Sequence, residues 1–113
     1  MLMQVTNITK NLKFECELAD NLWLQTKGLS FSKPRNMLFK FTAKRRWEFW
    51  MFGMSFNIWL AYVDEDGGVF QVVRAGKMTL NPTTWKTYKP SRPCRYVLES
   101  PEKIAETGDI LKF

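Results

Sequence analysis

Histidine is absent from this sequence and cysteine is rare: the 113 residues include no His and two Cys. Without His, the chain has no Ser-His or Cys-His nucleophile pair, no imidazole base and no His-ligated metal. Cys16 and Cys94 are too few for a disulfide framework or a four-cysteine zinc site. We expect two free, buried thiols, with a disulfide between them as the alternative. Glycine-rich phosphate loops and the nucleophile elbow are also missing. The sequence therefore predicts no catalytic residue, no metal and no cofactor.

A hydrophobic run of membrane-spanning length is missing as well. The longest uncharged stretch has fifteen residues, 49–63, whereas a spanning helix needs about 20. The N-terminal residues have neither the charged region nor the long apolar region of a signal peptide. We therefore expect a cytoplasmic protein that has no membrane partner.

Hydrophobic and turn patterns predict a chain made mainly of β-strands. Residues 12–18 alternate apolar and polar, as in a strand with one wet face. Residues 56–63 are apolar on both faces, which indicates an interior strand, and Asp66-Gly67 predicts a hairpin to 69–73. Further strands are predicted at 36–41, 47–51, 85–88, 94–99 and 110–113. A turn is predicted at 42–46, a long loop at 75–84, and short helical segments near 21–27 and 101–107. The fold class is mainly β: one domain, 1–113, forming an antiparallel β sandwich or distorted barrel with one or two short helices.

Acidic residues are missing from two long stretches of a basic chain. Lys and Arg outnumber Asp and Glu by 17 to 11, which gives a net charge of +6. Residues 21–47 carry seven basic residues and no acid, and residues 67–98 carry six and no acid. Such segregation is typical of surfaces that bind nucleic acid or small anions. A charged surface that keeps the protein soluble is the competing explanation.

Candidate binding residues lie in the second acid-free stretch and beside it. Trp85, Lys86 and Tyr88 interleave aromatic and basic side chains, a pattern that holds single-stranded nucleic acid or clasps a sugar or anion. Arg95 and Glu99 share one face of a predicted strand, where they flank a groove or form an ion-pair ladder. We expect Trp50 to complete the site, and the basic residues of 74–95 to gather around one concavity. The competing explanation is that the rings close the edge of the core.

A series of short motifs resembles the bacterial and archaeal family known as domain of unknown function 192. The motifs are Gly28-Leu29-Ser30-Phe31, Met37-Leu38-Phe39, Phe49-Trp50-Met51, Asp64-x-x-Gly67, Tyr88-x-Pro90, Arg95-Tyr96-Val97-Leu98-Glu99 and Gly108-Asp109. The resemblance implies a small, mainly antiparallel β sandwich or distorted barrel, and it implies no activity. Many members have an acid in the central strand where this chain has Trp59, which removes any role of that acid here.

Two classes of function follow from these observations. The first is a small non-catalytic binding or accessory domain with a pocket for a small anionic or carbohydrate-like ligand. Its candidate contacts are Trp50, Trp85, Lys86, Tyr88, Arg95 and Glu99. The alternative is a β domain that binds single-stranded nucleic acid through basic and aromatic side chains. The third possibility is a carboxylate hydrolase, which needs a pair of acids such as Asp64 with Asp66 or Glu99 with Asp109.

Overall fold

β-strands dominate the regular structure of the chain. A computed structural model describes residues 2–21, 33–51, 54, 56–84 and 86–113. The strands among these residues are β1 (Leu2–Asn7), β2 (Leu12–Ala19), β3 (Met37–Arg45), β4 (Phe49–Trp50), β5 (Ile58–Val63), β6 (Val69–Ala75), β7 (Thr87–Tyr88), β8 (Cys94–Ser100) and β9 (Leu111–Lys112). One short 3-10 turn, Pro82–Thr84, is the helical element of the described part. The mainly β fold class is confirmed. No helix among the described residues has the length and apolar character needed to cross a membrane.

Seven strands form one curled sheet, shaped like half of a barrel, in the order β6-β5-β8-β3-β2-β1-β9. Its neighbouring strands run antiparallel except β2 and β3, which are parallel. The other two strands, β4 and β7, pair with each other in a small antiparallel ribbon. The ribbon gives the fold a second layer.

The hairpin of β5 and β6 forms as the sequence predicts. β5 lies between β6 and β8, and its Ile58, Leu60 and Tyr62 are fully buried. The turn contains Gly67 at φ +91°, a conformation that strains other residues. A side chain at Gly67 would also collide with the Leu111 carbonyl oxygen. The glycine therefore fixes both the hairpin and the approach of β9.

Buried side chains form two clusters on opposite faces of the sheet. The first, called the ribbon-side cluster, joins Phe39, Leu60, Tyr62 and Val97 of the sheet to Phe49 of the ribbon. The second, called the far-side cluster, is built from sheet and C-terminal residues. Its members include Val5, Cys16, Leu38, Ala61, Val63, Leu98, Ala105 and Leu111. Cys16 therefore belongs to one cluster and Cys94 to the other, and both thiols are free and buried, as predicted.

Several local predictions need correction. The turn predicted at 42–46 is wrong because β3 continues to Arg45, which pairs with Cys94 beyond an irregularity in the register. β1 was not predicted, although all six of its residues pair with β2. The strand predicted at 47–51 shortens to β4, and the one predicted at 85–88 shortens to β7.

The helical turn predicted near 101–107 is also wrong. These residues are irregular, and Ser100 Oγ donates to the carbonyl of Glu102 (2.6 Å) where a helix would begin. The Glu106 N–H then donates to the Asp109 carboxylate (2.9 Å). Local side-chain hydrogen bonds of this kind compete with the helical pattern. The helix predicted near 21–27 lies, from residue 22 onward, outside the described residues.

Candidate functional site

Three of the predicted site residues lie on the ribbon or beside it. Trp50 pairs with Thr87 across the ribbon and is 61% exposed. Tyr88 is half-buried against the ribbon-side cluster, and its hydroxyl accepts a hydrogen bond from the Gly76 N–H (3.3 Å). Lys86 is exposed. Trp85 lies outside the described residues. Trp50 and Lys86 are therefore exposed to solvent, while Tyr88 packs against the core.

The other two predicted residues, Arg95 and Glu99, lie on β8. Strand alternation places them on one face, on either side of the fully buried Val97. Arg95 Nη1 lies 3.9 Å from Glu65 Oε1, so its carboxylate partner comes from the β5–β6 hairpin. Its Nε atom is buried and has no hydrogen-bond partner in the described part of the chain. The two residues therefore share a face, but Glu99 is not the ion-pair partner of Arg95.

Glu99 is a buried acid on β8. It is 5% exposed, and its neighbours across the strands are Leu60 on β5 and Met37 on β3. Its Oε2 atom is buried and makes no hydrogen bond with the described residues. Burial raises the pKa of Glu99 to about 8, since a carboxylate loses its hydration there. The side chain is therefore mostly protonated at neutral pH.

An open concavity, called here the basic concavity, lies where β3 ends and β8 begins. It has a volume of about 590 Å³ and is lined by Lys44, Asp64, Arg92 and Pro93. Arg92 Nη2 donates to Asp64 Oδ2 (2.5 Å). The Arg92 guanidinium carbon also lies 4.3 Å from the centroid of the Phe70 ring, a cation–π distance. These two contacts hold the arginine in place at the wall.

Other cations lie close in sequence to Lys44 and Arg92. Lys89 and Arg95 have carboxylate partners within 4 Å, at Glu48 and Glu65, as Arg92 has at Asp64. In the described part of the chain, no carboxylate forms an ion pair with the run 44–46. Arg46 Nε instead donates to the Pro90 carbonyl oxygen (2.8 Å), and Arg45 lies 5.5 Å from the Trp47 ring centroid. The site therefore retains uncompensated positive charge.

Sequence reasoning missed Lys44 in this lining, although Arg92 belongs to the stretch 74–95 that was expected to gather around one concavity. Lys44 was assigned to a turn, and Arg92 was one of many basic residues in its stretch. Arg74 lies on the edge strand β6 opposite Trp59, and it does not belong to the lining among the described residues. The signal was nevertheless present, because Lys44 belongs to the first acid-free stretch and Arg92 to the second. The fold brings one cation from each stretch to the same wall.

Three of the four carboxylates considered for hydrolysis accept local hydrogen bonds. Asp64 binds Arg92, and Asp66 Oδ1 accepts from the Gly68 N–H (3.0 Å). Asp109 Oδ2 accepts from Asn7 Nδ2 (2.8 Å), whereas Glu99 Oε2 accepts from no group. Burial would raise the pKa of Asp109, but hydrogen bonds from Asn7 and Glu106 outweigh it and lower that pKa. Within the described ranges, no group of three Cys, Asp or Glu is placed to hold a metal.

Both thiols and the strand position of Trp59 have local structural explanations. Burial raises the pKa of Cys16 to about 12 and that of Cys94 to about 11, which leaves both thiols unreactive at neutral pH. Lys103 Nζ lies 5.2 Å from the centroid of the Trp59 ring. A cation therefore rests on the ring at the position where the resemblance leads one to expect an acid.

Comparison with known proteins identifies the fold and the family. A protein from Novosphingobium aromaticivorans, of unknown function, superposes with a TM-score of 0.81 at 21% identity, over 99% of this chain and 85% of that one. A candidate transcription regulator from Sinorhizobium meliloti superposes with a TM-score of 0.76 at 18% identity, over 98% and 91% of the two chains. At these identities the likeness shows the fold alone. No curated protein matches the chain in sequence. The family model of domain of unknown function 192, described as "Uncharacterized ACR", matches residues 3–112. The chain belongs to the family of domain of unknown function 192.

Proposed function

We propose that this protein is a non-catalytic binding domain whose basic concavity takes a small anionic ligand of carbohydrate-like character. One observation carries the proposal: Lys44 and Arg92 lie on the wall of a concavity of about 590 Å³. Pockets for small molecules measure roughly 300–1,000 Å³. The volume therefore suits a ligand the size of a phosphorylated or carboxylated sugar.

The wall of the concavity combines cationic hydrogen-bond donors with a carboxylate acceptor. Arg92 is held by Phe70 and Asp64, so less side-chain freedom is lost when it binds an anion. Lys44 supplies a second donor that has no carboxylate partner among the described residues. The Asp64 carboxylate is about one-third exposed and retains lone pairs that accept from hydroxyl groups. An anion that also carries hydroxyls satisfies all three side chains.

The predicted contacts outside the concavity remain part of the proposal. Arg95 follows Pro93 by two residues and reaches toward the same hairpin through Glu65. Trp50 and Lys86 are exposed on the ribbon, where they are available to a larger ligand. Glu99 is buried, so we do not expect it to touch a ligand held in the concavity.

Binding of single-stranded nucleic acid is the second candidate. The run 44–46 gives three adjacent cations without carboxylate partners in the described part of the chain, and Trp50 offers a ring at the surface. The structural neighbour from Sinorhizobium meliloti is described as a candidate transcription regulator, and its likeness to this chain extends to the fold alone. Basic grooves with stacking rings bind single strands without reading sequence.

Calorimetric titrations with two probes, glucose 6-phosphate and a twelve-residue oligothymidylate, separate these candidates. For a concavity ligand, we expect Arg92→Ala and Lys44→Ala each to weaken sugar phosphate binding by about tenfold or more, since each removes a hydrogen bond to a charged group. Lys13→Ala, an exposed lysine on β2, is the control with the same charge change and should leave binding unaltered. Equal affinity of all four proteins would contradict the proposal.

The oligothymidylate arm tests the second candidate through salt. Neutralising several phosphates makes the logarithm of the binding constant fall steeply with the logarithm of salt concentration, by about 0.7 per contact on single strands. A shallow slope with tight sugar phosphate binding supports the concavity ligand. A salt slope that corresponds to several phosphate contacts, and that becomes smaller when residues 44–46 are substituted, supports the nucleic-acid surface.

A further inference from the structure

The lining of the basic concavity contains a carboxylate as well as two cations. Lys44 and Arg92 contribute two positive charges and Asp64 contributes one negative charge, so the described lining carries a net charge of +1. The attraction of this lining for an anion grows in proportion to the charge of the anion. The cost of taking the anion out of water grows faster, with the square of that charge. A lining with a single net positive charge therefore suits a singly charged anion better than a doubly charged one.

Asp64 is fixed at the start of the turn between β5 and β6. Its N–H donates to the Gly68 carbonyl oxygen (2.8 Å), and its own carbonyl oxygen accepts from the Gly67 N–H (2.9 Å). Its carboxylate accepts from Arg92 and is about one-third exposed. Both the backbone and the side chain of Asp64 are thus held by hydrogen bonds. A ligand that binds Arg92 therefore meets a negative charge in a defined position.

Arg92 has donors for Asp64 and for a ligand at the same time. A guanidinium group carries five N–H donors in one plane, and Arg92 uses a donor on Nη2 for Asp64. The Phe70 ring lies against a face of the guanidinium, a contact that occupies none of these donors. The remaining donors suit a ligand carboxylate, which binds a guanidinium through two oxygens. Because the ligand and Asp64 then share one guanidinium, their negative charges lie close together.

We infer that Asp64 determines the charge of the ligand, so that the basic concavity takes a sugar acid in preference to a sugar phosphate. The inference rests on the proposed function, because it chooses between two classes of anion that fit the concavity. A sugar acid carries one negative charge, whereas a phosphate monoester carries about 1.5–2 at pH 7. Hydroxyl groups are present on both ligands and donate to Asp64 in either case. The additional charge of the phosphate, which Asp64 repels, is what separates the two classes.

Calorimetric titrations of the unaltered protein with glucuronate, glucose 6-phosphate and glucose at pH 7.5 give the first test. The three probes share one sugar ring and differ mainly in charge. We expect glucuronate to bind about tenfold more tightly than glucose 6-phosphate, and glucose to bind most weakly. If glucose 6-phosphate binds as tightly as glucuronate or more tightly, the inference is overturned while the proposed function stands. If neither anion binds, the proposed function fails, and the inference fails with it.

Asp64→Asn is the matched variant, because its amide oxygen can still accept from Arg92 while the negative charge is lost. The lining then carries two cations and no carboxylate, which suits a doubly charged anion. We expect the preference for glucuronate over glucose 6-phosphate to fall by about tenfold or more, since the repulsion that Asp64 exerts on the second charge is removed.

Asp66→Asn is the control, since it makes the same change in the same turn. Asp66 is exposed and lies outside the described lining of the concavity, so its replacement should leave the preference unaltered. An unaltered preference in Asp64→Asn, or an equal fall in both variants, overturns the assignment of selectivity to Asp64. Should Asp64→Asn not fold, the comparison of glucuronate with glucose 6-phosphate on the unaltered protein decides the question.

Discussion

Asp109 and Glu99 are buried to nearly the same degree, at 4% and 5% exposure, but their surroundings differ. The Asp109 carboxylate accepts from Asn7 Nδ2 (2.8 Å) and from the Glu106 N–H (2.9 Å), with Lys10 Nζ 3.6 Å away. Glu99 instead has Leu60 and Met37 as its cross-strand neighbours. Hydrogen bonds lower the pKa of Asp109 against the opposing effect of burial, whereas burial alone raises that of Glu99.

This difference distinguishes the region around Asp109, where the buried carboxylate is hydrogen-bonded, from the region around Glu99. The network around Asp109 ties β1 to the C-terminal turn, and its buried polar groups are satisfied. On the ribbon side, Tyr62 and Glu99 retain polar atoms without partners. Equal burial therefore produces an anchored anion in one place and a neutral acid in the other. Satisfaction of hydrogen bonds, more than depth, distinguishes the two regions.

Replacing Glu99 by Met should have the largest effect on how stability depends on pH. A folded-state pKa of about 8, above the unfolded value of 4.5, means that stability falls as the pH rises between them. At about 1.4 kcal/mol per pH unit, the unaltered protein should lose about 4 kcal/mol between pH 5 and pH 8. Glu99→Met should remove this loss. Urea unfolding at pH 5, 6.5 and 8 measures it, and parallel curves for the two proteins would contradict it.

Replacing Asp109 by Asn should cost roughly 1–3 kcal/mol at pH 7, because the neutral amide loses the charge that strengthens the hydrogen bonds from Asn7 and Glu106 and that attracts Lys10. The pH dependence should have the opposite sign to that of Glu99. The pKa of Asp109 is lowered, so its contribution is present above its ordinary pKa and is lost as the pH falls below it. Unfolding curves from pH 3 to pH 7 test both points. If Asp109→Asn shows no loss of stability at pH 7, the anchoring role assigned to this carboxylate is wrong.

Replacing Tyr62 by Phe should have the smallest effect. The hydroxyl makes no hydrogen bond with the described residues, so its removal forfeits none of those shown and removes a buried polar group. We expect stability within about 1 kcal/mol of the unaltered protein, on the favourable side. Thermal unfolding at pH 5 measures the change, and Tyr62→Leu is the control for lost ring packing. A loss above about 2 kcal/mol in Tyr62→Phe would show that the hydroxyl has a partner.

Local patterns in the sequence predict most of the strands, and their failures have physical causes. The alternation of 12–18 and the apolar run that contains β5 identify β2 and β5 because each pattern reflects one strand's own burial. β1 escaped detection because its pairing with β2 and β9 is a tertiary contact that a short N-terminal segment does not reveal. β3 extends through charged residues to Arg45 because β8 supplies its partner.

The candidate site was predicted only in part. Arg95 and Glu99 were correctly assigned to one strand face, since alternation along a strand follows from the sequence. The basic concavity was not found because its lining joins Lys44, near the end of β3, to Arg92, which precedes the neighbouring strand β8. The absence of acids in both stretches indicated a basic surface. The pairing order of the strands determines which of these basic side chains lie close together.

The pairing of β1 with β9 has a consequence for the order of folding. Asn7 lies opposite Leu111 in the sheet and hydrogen-bonds to Asp109, 102 positions away along the chain. Contacts between such distant positions form late, because the intervening loop must first be closed at an entropic cost. During synthesis, β1 can pair with β2 early but must wait for β9. One edge of the sheet therefore remains unpaired early in folding. The hydrogen bond between Asn7 and the Asp109 carboxylate is among the last contacts to form.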